Sequence, residues 1–197
     1  MKLIEEGFIK RNKKIILIAV AIMLLSAIGG AAISYVNTDG QHNTISNELS
    51  AHHTKNNTDI DLGMNATDLF IHNVIADLIV IIGGFLFSII SVILVIYNGF
   101  SIGIPFGFDL PYAMVSILPH AIIEYFAGSL ALAIAFKITK LEIQVIKNRN
   151  VRNTIDEHKT DLKDILVLLI VMIILLGIAA FIEGNITGMV VKSYFGL

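Results

Sequence analysis

The stretch NGFSIGIPFGFDLPYAMVSIL, residues 98–118, is mostly apolar yet holds three glycines, two prolines and an aspartate. Gly99, Gly103 and Gly107 recur every four residues, so on a helix they would share one face. Pro105 and Pro111 each remove a backbone donor, the second close to Asp109. Whether this stretch crosses a bilayer or lies outside it decides the fold, and the surrounding sequence supplies the answer.

The 197-residue chain is 55% apolar and only 15% charged, with a mean hydropathy of +0.79. Soluble domains carry about 25% charged residues, so runs of roughly 20 apolar residues here are read as membrane helices. A net charge of -2 gives no reason to expect nucleic acid as a partner. With no cysteine, disulfides, thiolate metal sites and cysteine nucleophiles are excluded. Tryptophan is absent too, which leaves Tyr35, Tyr97, Tyr112, Tyr125 and Tyr194 for any interfacial belt.

Five stretches qualify as spans. The first, 15–36, follows a basic amino terminus, 1–14; a cleaved signal peptide ending near SAIGGAA is the rival reading. A polar segment, 37–69, is too poor in apolar residues to offset its ordering entropy and is expected to be a loop. Residues 70–197 form a four-span region: Val74–Tyr97, the Gly/Pro-rich Asn98–Leu118, Pro119–Ile138 and Ile165–Ile182, with a loop over 139–164.

Charge fixes the count. Of 14 basic residues, five lie in the amino-terminal segment and seven between 137 and 163. The positive-inside rule puts both segments in the cytoplasm, so an even number of crossings separates them. Four fit only if residues 98–118 cross, as a broken helix. The expected fold is an all-α membrane protein of about five transmembrane helices, the third broken by Gly and Pro. The amino terminus is then cytoplasmic, and 37–69 and the carboxy terminus are outside. The sequons at Asn56, Asn65 and Asn185 fall outside in that arrangement.

This topology gathers polar residues. Span two enters from outside with Asn73 and Asp77, span four with His120 and Glu124, and span five ends at Glu183. Each pair is four residues apart, on one helix face. Five polar groups from three distant segments should therefore meet near the outer face. A charge at a helix centre costs about 2.5–3.5 kcal/mol on insertion scales, so such residues are functional candidates by default. Three uses fit them. One is a structural clasp between spans; another is a proton or ion path. The third is a divalent metal site, zinc, manganese or iron, on His120, Glu124 and Glu183. Gly99, Gly103 and Gly107 are expected at a close helix contact. No phosphate-binding loop, HExxH pair or GxSxG elbow appears.

Four motifs carry a family resemblance: Asn73 before span two, NGFSIG with Asn98, Gly99 and Gly103, PHAIIE with His120 and Glu124, and AAFIE with Glu183. In order and spacing they make the chain, from about residue 70 to 190, resemble the stage II sporulation protein M family of polytopic membrane proteins. Ala121 stands where that family usually has glycine. The resemblance implies a membrane scaffold, because the namesake holds peptidoglycan-degrading enzymes in a membrane complex, and it implies no reaction. The reading is an integral membrane scaffold or partner-binding component. Its expected partners are the bilayer, other membrane or envelope proteins and a second copy of itself. A membrane-embedded metal-dependent hydrolase and a proton-coupled transporter are the alternatives.

Overall fold

The computed structural model describes residues 6–38, 65–187, 189, 190 and 193. The end segments, most of the loop read over 37–69 and the sequon at Asn56 lie outside the described residues. Every regular element described is helical: α1 (Phe8–Thr38), α2 (Ala66–Ile82), a 3-10 turn (Gly83–Leu86), α3 (Ile89–Phe108), α4 (Leu110–Ser116), α5 (Leu118–Asn148), α6 (Val151–Glu157), α7 (Lys159–Ile182) and a π turn (Glu183–Thr187). Five segments are long and apolar enough to cross a membrane: Phe8–Asn37, Ala66–Leu86, Ile89–Phe108, Leu118–Asn148 and Lys159–Thr187.

Local chemistry sets the ends. Asn65 caps α2, its side chain accepting from the amides of Thr67 and Asp68. Asp109 adopts an extended conformation between α3 and α4 and caps α4 through the Tyr112 amide. The Gly/Pro-rich stretch is therefore broken at Asp109, while α3 runs on through Pro105. Arg149, with φ 52°, ends α5, and Asn150 caps α6.

The boundary between spans two and three differs from the sequence reading. The chain turns at Phe87 and Ser88, both left-handed (φ 53° and 56°), about ten residues before the expected break at Tyr97. Nothing charged marks the turn, because its polar groups are satisfied internally. Thr139 Oγ1 donates to the Gly84 carbonyl at 2.7 Å, which leaves Ser88 Oγ as donor to Thr139 Oγ1 at 2.6 Å. Ser91 Oγ donates to the Val80 carbonyl. A hydropathy reading cannot see such a turn, since glycine and serine barely interrupt an apolar run.

Helix α5 is the axis of the bundle. Nine consecutive residues, Ala127–Ala135, are buried, so this stretch is covered on all sides. Around it pack Met23 of α1, Val80 of α2, Val95 of α3, and Leu168, Met172 and Leu176 of α7. Helices α1 and α3 lie parallel and close. A Cβ on Gly99 would come within 2.8 Å of the Met23 carbonyl oxygen. One on Gly103 would strike the Ala27 carbonyl, and one on Gly107 the Ala31 carbonyl. The outer surface stays apolar, with Leu25, Val36, Ile93, Ile174 and Phe181 each more than half exposed. Water does not tolerate that much contiguous apolar surface; a bilayer requires it.

Candidate functional site

Polar side chains concentrate at the two ends of this bundle, with an apolar layer between them. At one end α2 contributes Asn73 and Asp77, α5 contributes His120 and Glu124, and the π turn contributes Glu183. Asn73 Nδ2 donates to Glu124 Oε1, joining α2 to α5. His120 Nε2 lies 3.9 Å from Glu183 Oε1, farther than a hydrogen bond. Asp77 is buried, and its Oδ2 has no hydrogen-bond partner. A Cβ on Gly128 would sit 3.6 Å from Asp77 Oδ1, so the carboxylate faces α5 one turn below Glu124. His120 Nδ1 is likewise buried without a partner.

His120, Glu124 and Gly128 are successive turns of α5, so the five groups form a column. Glu183, 31% exposed, stands at the rim with buried His120 beside it, Asn73 and Glu124 lie below them, and Asp77 is deepest. Of the three residues read as metal ligands, Glu124 accepts from Asn73 and His120 lies beside Glu183. Among the described residues, no three His, Asp or Glu side chains are grouped to hold a metal ion. The arrangement can tie three helices together and can hold a proton on a sequestered carboxyl.

The other end holds a second cluster that the sequence reading missed. Asp164 of α7 accepts from Arg11 Nε at 3.0 Å, Arg11 Nη2 at 2.8 Å, Asn12 Nδ2 at 2.9 Å and Lys137 Nζ at 3.3 Å. Lys137 Nζ also donates to Asn12 Oδ1 and Asp161 Oδ1, both at 2.8 Å. Asp161 Oδ2 takes Lys140 at 2.8 Å and contacts His158 Nδ1 at 3.1 Å. Asn12, Lys137 and Asp164 are each 98% buried or more. Arg11 and Lys137 look like ordinary cytoplasmic charges when basic residues are counted. The available signal was Lys137 inside the apolar run of span four, with Asp161 and Asp164 three residues apart ahead of span five.

Elsewhere, Tyr125 Oη donates to the Gly99 carbonyl at 3.2 Å, joining α5 to α3. Asn185, read as a sequon, turns back so that its Nδ2 donates to the Phe181 carbonyl.

A family model described as "Stage II sporulation protein M" matches residues 15–188. An uncharacterized protein of Methanocaldococcus jannaschii is 29% identical over 133 residues, covering 64% of this chain and 73% of its own length. No solved structure matches.

Proposed function

Because the chain belongs to the stage II sporulation protein M family, we propose that it is a multi-pass membrane scaffold that holds partner proteins at the cell envelope. In this reading the positive-inside rule places the Arg11–Lys137–Asp164 end in the cytoplasm. The amino terminus is then inside, and the carboxy terminus and the Asn73–Glu183 column are at the outer face. The column is a clasp that fixes α2, α5 and the end of α7, and its rim presents Glu183, held beside buried His120, to a partner. One observation carries the proposal: Asn73 donates to Glu124 between α2 and α5, and His120 lies beside Glu183 between α5 and the end of α7, so the column links three helices.

The test compares His120→Ala, Glu183→Gln and the double replacement His120→Leu/Glu183→Met for melting temperature and for rescue of a deletion strain. Removing one member strands a buried polar group at about 1–3 kcal/mol. An apolar replacement of both should recover much of that stability. The proposal expects a stable double variant that does not rescue, because the rim is lost to the partner. A stable double variant that rescues fully would refute a role for the rim in recognition.

Asp77 supports a second reading. A buried carboxyl with an unpartnered oxygen below Glu124 is what a proton-coupled transporter would use. Proton flux into vesicles that is lost in Asp77→Asn would favour transport over scaffolding. A metal-dependent hydrolase would require Glu124 to leave Asn73 and join His120 and Glu183. Stoichiometric zinc or manganese in untagged protein would be its sign.

A further inference from the structure

The column occupies one face of α5; on the opposite face Ile122 and Phe126 line an apolar groove against α1 and α3. At the foot of the column two features remain unexplained by a clasp. Asp77 is 4% exposed, yet its Oδ2 has no hydrogen-bond partner. Opposite stands Gly128, where a Cβ would lie 3.6 Å from Asp77 Oδ1 and 3.1 Å from the Met23 methyl. The glycine therefore leaves a hollow about the size of a methyl group in front of the carboxylate. One turn above, Glu124 accepts from Asn73 Nδ2 through Oε1, which leaves Glu124 Oε2 and Asn73 Oδ1 as further oxygen ligands. Among the described residues no Lys or Arg lies between Lys14 and Lys137 or beyond Lys163. No ammonium or guanidinium described at this end of the bundle therefore neutralises Asp77, Glu124 or Glu183. The acidic file runs from Glu183, 31% exposed at the mouth, to Asp77 at the closed end.

We propose that the foot of the column binds a sodium ion beside Gly128, held by the carboxylates of Asp77 and Glu124 and the amide oxygen of Asn73. Donor chemistry selects the class, because carboxylate and amide oxygens are what hard cations take. Size selects within it. Calcium takes 6–8 oxygens and magnesium keeps several waters, more than a buried carboxylate beside a methyl-sized hollow accommodates. A monovalent ion sheds its water at lower cost, and sodium fits the hollow better than the larger potassium. Charge supplies the attraction: an acidic file open at one end draws cations inward, and a buried carboxylate oxygen without a partner is costly until an ion or a proton meets it. The inference needs neither transport nor partner recognition, only the placing of Asp77 and Glu124 between α2 and α5.

The experiment uses the full chain, purified in detergent with choline chloride as its only salt. It is melted in rising sodium chloride or potassium chloride, with choline chloride holding the ionic strength constant. Sodium at about ten times its Kd should raise the ratio of folded to unfolded protein about elevenfold, or about 3–6 °C in melting temperature. Potassium should do markedly less. Asp77→Asn, which keeps the size and removes the charge, should abolish the sodium shift, whereas Asp68→Asn, exposed at the same end, should keep it. Gly128→Ala fills the hollow against the movable Met23 methyl and should push the sodium titration to higher concentration with the fold retained. Retention of radioactive sodium by the wild-type and Gly128→Ala proteins reads binding without unfolding, and decides the matter if Asp77→Asn does not fold. Equal shifts from sodium and potassium would overturn the choice of ion. No shift and no retained sodium would overturn the site and leave Asp77 to a proton. A sodium shift that survives Asp77→Asn would place the ion elsewhere, and an unchanged titration in Gly128→Ala would overturn the hollow.

Discussion

Replacing Asp164 by alanine should destabilise this protein more than any other single change at the Arg11–Lys137–Asp164 end. The carboxylate accepts from four donors on α1 and α5, and its side chain is 2% exposed. Without it the Arg11 fork loses its two bonds to the carboxylate and Nη1 still donates to the Glu6 carbonyl, and Lys137 keeps Asp161 and Asn12. Breaking a buried pair from one side costs about 3–5 kcal/mol. The surviving contacts of Lys137 argue for the lower end, about 3 kcal/mol, or about 6–12 °C in melting temperature for a chain of this size. Lys137→Met should be milder despite equal burial. Arg11 and Asn12 still meet Asp164, and Lys140 and His158 still meet Asp161 Oδ2; the atoms that lose Lys137 as donor are Asp161 Oδ1, on a carboxylate that keeps two partners, and buried Asn12 Oδ1, at about 1–3 kcal/mol. Thermal unfolding of both variants in one detergent measures the asymmetry. If Lys137→Met is the worse of the two, or if Asp164→Ala lies within about 1 kcal/mol of wild type, the network described is not the one that holds α1 to α7.

Two further outcomes follow from packing and topology. Gly103→Leu should lower folded yield in detergent far more than Ile102→Leu, because its side chain would enter the Ala27 backbone; overpacking costs about 1–3 kcal/mol or more, and equal yields would place this face away from α1. Cysteines replacing exposed Thr67 and Arg152, at opposite ends of the bundle, should be labelled from opposite sides of the membrane by an impermeant reagent. Labelling of both from one side would contradict the five-span topology.

The number of spans was legible because hydropathy and the distribution of basic residues act over whole segments. The turn at Phe87–Ser88 was not, because glycine, serine and a threonine from α5 satisfy its backbone without a polar signature. For the polar residues within the spans, parity of crossings puts Asn73, Asp77, His120, Glu124 and Glu183 toward one end. Which of them pair depends on helix rotation, and composition holds no record of that. Lys137 and Asp164 were hidden for the opposite reason. Counting charges to set orientation treats every lysine as solvated, and a buried pair at a membrane boundary looks the same in sequence as two residues facing water.

The absence of cysteine from the chain makes one measurement especially direct. His120→Cys/Glu183→Cys, treated in native membranes with a short bifunctional thiol reagent, reports whether the start of α5 meets the end of α7. The clasp predicts an intramolecular cross-link in high yield, and little from Ile122→Cys/Glu183→Cys, since Ile122 belongs to the groove beside α1. Equal yields from the two pairs, or none from His120→Cys/Glu183→Cys, would contradict a column assembled from three helices.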